Sequence, residues 1–147
     1  MEIERKFLIK EVPENLSAYS SKEIEQAYLN ETPVLRIRKS DDNYILTYKS
    51  KGMMIRQEEE LPLTKDAYEH LLKKADGHII QKTRYLIPYD KYTIELDVFK
   101  GHMAPLIMAE VEFSSEDEAN NFCPPTWFGK DVTYHKEYHN VNMALHQ

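Results

Sequence analysis

Ionisable residues recur two apart along several stretches of this chain: Glu2, Glu4 and Lys6; Arg36 and Arg38; Arg56, Glu58 and Glu60; Lys82 and Arg84; Glu95 and Asp97; Glu110 and Glu112; and Lys49 and Lys51, the last of which can belong to a turn. Clustered carboxylates with no supporting cysteine and few nearby histidines are hard oxygen donors, suited to Mg2+ or Mn2+. Several arginines and lysines converging on one volume suit an anion with many oxygens, such as a phosphate chain, which arginine grips in bidentate fashion. A metal held by carboxylates and phosphoryl oxygens together would explain why both sets of charges occur. The implied chemistry is phosphoryl transfer.

A spacing of two is the period of a β-strand, in which alternate side chains share a face. The run Tyr92-Thr93-Ile94-Glu95-Leu96-Asp97-Val98-Phe99 sends Ile94, Leu96 and Val98 to one side and Glu95 and Asp97 to the other. Residues 2–9, 33–39, 43–50, 54–61, 79–88 and 105–113 alternate in the same way, and 22–29 does so more weakly. Short turn signals at Asp41-Asp42-Asn43, Ser50-Lys51-Gly52, Pro88-Tyr89-Asp90 and Lys100-Gly101 join neighbours that must be antiparallel, because a parallel pair needs a crossover of a dozen or more residues. Three helices are predicted: 65–75 after Thr64 as N-cap, a short one opened by the capping box Ser115-Glu116-Asp117-Glu118 and running to about Phe122, and a last one near 134–146. These elements describe an α+β protein on a large antiparallel sheet, curled or closed.

The charged stripes admit two placements. They can form a solvated outer face over an ordinary apolar core. Alternatively, closure of the sheet turns them toward a common axis, with the apolar stripes outside and covered by the helices. Like charges spaced two apart sit roughly 7 Å from one another and gain nothing at a surface. A lumen lined this way must be wet, because an unpaired charge taken out of water costs several kcal/mol.

The 147 residues suffice for one domain with its own core. With 25 acidic and 19 basic residues the net charge is −6, which argues against a general nucleic-acid or anionic-membrane binder. The single Cys123 makes no intramolecular disulfide, and no apolar run approaches a membrane span. No linker, repeat or signal-peptide pattern is visible, so one cytoplasmic domain over 1–147 is expected.

Read in order, Glu2-Ile3-Glu4-Arg5-Lys6, Gln26-Ala27-Tyr28-Leu29, Arg36-Ile37-Arg38, Leu46-Thr47-Tyr48-Lys49, Arg56-x-Glu58-x-Glu60, Lys82-Thr83-Arg84-Tyr85, Asp97-Val98-Phe99, Ala109-Glu110-Val111-Glu112 and the closing Gly129-Lys130-Asp131-Val132-Thr133 resemble the CYTH family, also called triphosphate tunnel metalloenzymes. The N-terminal ExExK is the family's signature, and the likeness spans nearly the whole chain. It departs at Ala104-Pro105-Leu106, where many relatives carry Gly-Leu. The resemblance implies an eight-stranded closed antiparallel barrel with a charged lumen that binds a triphosphate with a divalent metal.

By position, Glu2, Glu4, Glu58, Glu60, Asp97, Glu110 and Glu112 resemble the metal-binding set. Lys6, Arg36, Arg38, Lys49, Arg56, Lys82 and Arg84 resemble the substrate-binding set, and Glu4, Glu112, Lys6 and Arg38 the catalytic one. The expected mechanism has one metal bridging carboxylates and phosphate oxygens and a second activating water for in-line attack. For each residue the competing role is a structural ion pair across the lumen, which weighs most for Arg56, Lys82 and Glu95. Hydrolysis of inorganic tripolyphosphate is favoured; a class IV-type adenylate cyclase and a non-catalytic polyphosphate or nucleotide binder are the alternatives. His135 and His139 have zinc-like helical spacing but no third ligand, Cys123 is read as structural, and Tyr28, Tyr44, Tyr48, Tyr85 and Tyr92 as packing residues. Oligomeric state is left open.

Overall fold

The computed structural model describes residues 1–147. Ten strands are present: β1 (Glu2–Ile9), β2 (Ser20–Asn30), β3 (Val34–Ser40), β4 (Asn43–Lys49), β5 (Ile55–Arg56), β6 (Glu58–Pro62), β7 (Asp76–Tyr89), β8 (Tyr92–Phe99), β9 (Ile107–Glu112) and β10 (Phe128–Asp131). Three helices accompany them: α1 (Lys65–Leu72), α2 (Glu116–Asn120) and α3 (Asn140–Leu145). The strands lie in the order β10-β1-β9-β8-β7-β2-β3-β4-β6, with β5 also paired to β1. Each of these pairings is antiparallel.

The break at Gln57 is what curls the sheet into a nearly closed barrel. β5 sets Arg56 opposite Glu2 of β1, and β6, resuming one residue later, sets Glu58 opposite Lys49 of β4. The two halves of one run thus reach opposite sides of the sheet. Ser50 holds the break: its backbone N–H donates to the Gln57 carbonyl at 3.0 Å, and its Oγ accepts from the Gln57 N–H at 2.9 Å. The expected count of eight strands becomes ten for two reasons. The run 54–61 is two strands rather than one, and β10, too short to show alternation, adds to β1 outside the ring.

The apolar stripes face outward under the helices and loops, as closure requires. Phe7, Ile94, Leu96, Ala109 and Val111 pack under Ala119, Phe122 and Phe128, with Phe7 and Phe128 ring centres 4.8 Å apart. Ala27 and Ile37 are covered by Tyr68 of α1, whose hydroxyl donates to Glu25 Oε1 at 2.9 Å. On the charged face instead, Tyr28, Ile80, Phe99 and Met108, which share the side of Gln26, Lys82, Asp97 and Glu110 on their strands, meet Met143 and Ala144 of α3. Each buried side chain of this size contributes about 1.5–3 kcal/mol.

Both expected N-caps form: Thr64 Oγ1 accepts from Ala67 N and Ser115 Oγ from Glu118 N, each at 3.1 Å. The last helix is shorter than the expected 134–146; a 3-10 turn at Lys136–Tyr138 precedes α3. His135 and His139 therefore do not share a helical face. His139 is buried, with Nε2 donating to the Thr133 carbonyl at 2.8 Å, while His135 Nδ1 faces Glu137. At Gly77, whose φ is +66°, β7 passes so close to α3 that a Cβ would collide with the Ala144 carbonyl. No helix is long and apolar enough to cross a membrane.

Candidate active site

The barrel encloses a cavity of about 130 Å³. Its lining contains Glu2, Glu4 and Lys6 from β1, Arg36 and Arg38 from β3, Lys49 from β4, Arg56 from β5, Glu58 and Glu60 from β6, Lys82 and Arg84 from β7, Glu95 from β8, and Glu110 and Glu112 from β9. The period-two stripes thus converge on one volume from eight strands. Asp97 is the exception. It lies on the same strand face as Glu95 but is fully buried, taking Arg84 Nε at 2.7 Å and Nη2 at 2.9 Å and Lys82 Nζ at 2.7 Å. Read from the sequence as a metal ligand, Asp97 does not reach the cavity, because both its oxygens are held by cations on the neighbouring strand.

Most of the other charges are also paired. Lys6 Nζ lies 2.6 Å from Glu110, Lys49 3.0 Å from Glu2 and 3.4 Å from Glu58, and Arg84 3.1 Å from both Glu95 and Glu110. Arg56 makes longer contacts, 3.7 Å to Glu2 and 3.5 Å to Glu4. Arg56, Lys82 and Glu95 are therefore ion-pair partners within the wall. These pairs shape the titration of their members. Burial opposes charge on Glu110, yet Lys6, Arg84 and Lys82 hold its carboxyl well below the usual range. Burial, with Arg84 alongside, pushes the Lys82 ammonium down to about 7 against the pull of Asp97.

The residues left over have few partners or none. Arg36 has only the Thr47 hydroxyl, accepting from Nη2 at 3.2 Å, and its buried Nε has no partner. Arg38 has only the Gln26 amide oxygen, accepting from Nε at 2.9 Å. Burial and the neighbouring Arg36 and Arg84 push its guanidinium down to about 9, a measure of uncompensated positive charge that still leaves it protonated at neutral pH. Two adjacent cations that no carboxylate neutralises fit a polyanion.

On the acidic side, Glu4 stands directly opposite Glu112, and Glu95 opposite Glu110. Like charges opposite one another are destabilising without a cation between them. Glu112 and Glu60 form no ion pair. Burial, then Glu2, Glu95, Glu58 and Glu4, push the Glu112 carboxyl up. A donor set made only of carboxylate oxygens, two of them on Glu60 and Glu112 without a cation partner, fits Mg2+ or Mn2+ better than a soft metal. The protein alone does not preform a metal cage, since no three of these groups converge closely enough. A bound anion would have to supply further oxygens.

Reasoning from the sequence missed several lining residues: Tyr28, Val34, His139, Asn140 and Val141. Gln26, which stands out in the sequence only as part of a motif, is fully buried and bonded to Arg38. Its alternation with Ile24 and Tyr28 on β2 was a signal that could have marked it. In the sequence His139 is marked only by its spacing from His135 and Asn140 only by its place in the closing segment; they reach the barrel because the chain doubles back before α3.

A family model described as the CYTH domain matches residues 1–138. An inorganic triphosphatase of Nitrosomonas europaea is 43% identical over 98% of this chain and 97% of its own length. Another inorganic triphosphatase, from Acetivibrio thermocellus, is 30% identical over 97% of this chain and 92% of its own. The crystal structure of an inorganic triphosphatase, 40% identical, superimposes over 99% of this chain and 95% of that one with a TM-score of 0.73. A putative adenylate cyclase from Bacillus halodurans, 17% identical, shares the fold at a TM-score of 0.65 over 99% of this chain and 91% of its own. Given a family match over nearly its whole length and the charged stripes gathered inside a curled antiparallel sheet, the chain belongs to the CYTH domain family.

Proposed function

We propose that this protein hydrolyses the terminal phosphate of a triphosphate, most directly inorganic tripolyphosphate, with Mg2+ or Mn2+. The observation that carries this reading is one cavity holding two arginines, Arg36 and Arg38, and two carboxylates, Glu60 and Glu112, that form no ion pair. A pure anion binder would need no such excess of carboxylates. The kinship with two inorganic triphosphatases supports the same substrate. The reading takes residues 1–147 as one domain and a cytoplasmic setting, with no nucleic-acid or membrane partner.

In this reading Arg36 and Arg38 grip the phosphate chain, with Lys49, Arg56 and Lys6 within the same lining. Glu2, Glu4, Glu58, Glu60 and Glu112 would hold the metal, which when bound polarises phosphoryl oxygens and lowers the pKa of a water. Glu110, held by Lys6 and Arg84, and Asp97, held by Lys82 and Arg84, act through the wall instead. Arg38 stabilises charge developing on the transferring group, and Lys6 sits 3.9 Å from Glu4, orienting that carboxylate. No cysteine lines the cavity and the one lining histidine, His139, is spent on a backbone carbonyl, so attack by water rather than by a side chain is the consistent route.

The test is incubation with tripolyphosphate, ATP and thiamine triphosphate, each with Mg2+, Mn2+ or a chelator, scoring phosphate, pyrophosphate and cyclic nucleotide. Metal-dependent phosphate release from tripolyphosphate is expected. Cyclic AMP with pyrophosphate from ATP would replace the proposal by a cyclase, and saturable binding without product by a sensor.

A further inference from the structure

Two cations in the lumen are partnered differently from all the others. Lys6, Lys49, Arg56, Lys82 and Arg84 each meet at least one carboxylate. Arg36 and Arg38 meet only neutral oxygens, and those come from their direct cross-strand neighbours. Gln26 on β2 stands opposite Arg38, and Thr47 on β4 opposite Arg36. Both neutral residues are fully buried.

The Gln26 amide is not free to turn. Its Nε2 donates to the Tyr28 hydroxyl and to Asn140 Oδ1, each at 3.2 Å, so its Oε1 must face Arg38 Nε. Asn140 Oδ1 also accepts from Lys82 Nζ at 3.2 Å, which ties the amide to the C-terminal segment. With Nε anchored, the terminal nitrogens of Arg38 make no bond within the protein and are left for a ligand. A carboxylate in place of this amide would hold the guanidinium about twice as strongly, but would cancel the charge that attracts the anion.

We propose that Gln26 and Thr47 are positioning residues that orient Arg38 and Arg36 for a polyphosphate anion while leaving their positive charge uncompensated. This rests on the triphosphatase reading and adds to it the reason for neutral residues on both flanks of the arginine doublet. The idea separates charge from packing. Q26E keeps size and an acceptor but adds a negative charge, whereas Q26M keeps size alone; T47D and T47V form a second pair at the other arginine.

The experiment measures kcat and KM for tripolyphosphate in the four variants, with thermal melts to establish folding. Q26E and T47D are expected to raise KM at least about tenfold, with a smaller change in kcat, because one unit charge a few ångströms away is worth more than this at intermediate dielectric. Q26M and T47V should raise KM less than their charged counterparts. Wild-type KM in Q26E and T47D would overturn the proposal, and so would apolar variants as impaired as the charged ones. If one charged variant fails to fold, the pair at the other arginine decides. An inactive wild type would refute the proposed function alone; titration calorimetry with tripolyphosphate and Mg2+ would then rank the same variants.

Discussion

Replacing Asp97 by asparagine tests whether this carboxylate belongs to the wall or to the metal. Asp97 has no solvent exposure and accepts two bonds from Arg84 and one from Lys82, all between 2.7 and 2.9 Å. Asparagine keeps the volume but brings one oxygen, an amide that donates, and no charge. Two buried cations then lose their nearest counterion, and breaking a buried pair costs about 3–5 kcal/mol. For a chain of this size each kcal/mol moves the melting temperature by about 2–4 °C, so D97N should melt about 6–20 °C lower. The deficit should shrink on going from pH 6.5 to pH 9. Burial already pushes the Lys82 ammonium down, and a lysine that has released its proton needs no counterion. Thermal melts by circular dichroism at both pH values provide the assay. A D97N protein that melts within about 2 °C of wild type at pH 6.5 but no longer binds Mn2+ would refute the reasoning and return Asp97 to the metal set.

Three further outcomes are expected. E4Q and E112Q should abolish metal-dependent phosphate release with the fold intact, and E112Q should melt higher than wild type without metal, since it relieves the crowding by Glu2, Glu95, Glu58 and Glu4; undiminished turnover by both variants would remove these residues from the mechanism. Stability should hold at neutral pH and fall in acid. Glu110 and Asp97 have folded-state pKa values below their unfolded ones, so their contribution is full above about pH 4–5 and is lost as pH drops through the folded values, measurable as urea midpoints from pH 7 to pH 3. G77A should lower the melting temperature and raise KM together, because the new methyl group meets the Ala144 carbonyl at a positive φ and displaces α3, which begins at Asn140; a variant with wild-type melting and KM would show that α3 tolerates displacement.

Alternation made β1, β3, β4, β8 and β9 readable from local sequence, because a strand wetted on one face and apolar on the other must alternate. The caps at Thr64 and Ser115 were readable for a similar reason, since the bond each makes spans only three residues. β10 was not readable: its four residues gain their pairing only from β1, more than a hundred positions away in the chain. The expected helix over 134–146 failed for the same reason. His139 leaves the helical path to bond the Thr133 carbonyl, and Asn140 reaches the lumen, where Gln26 and Lys82 compete for its oxygen.

The set of charged side chains that could meet one another was written into the sequence, because parity along a strand decides the face on which each residue lies. Which of them neutralise each other was decided only in three dimensions. Cross-strand register set Arg84 against Asp97 and Lys6 against Glu110, while setting Arg38 against Gln26, Arg36 against Thr47 and Glu4 against Glu112. Register depends on turns, on the break at Gln57 and on near-closure of the sheet, none of which a single strand's composition encodes. The division of these ionic stripes into paired charges and charges left without a counterion is therefore a property of the barrel, not of its strands.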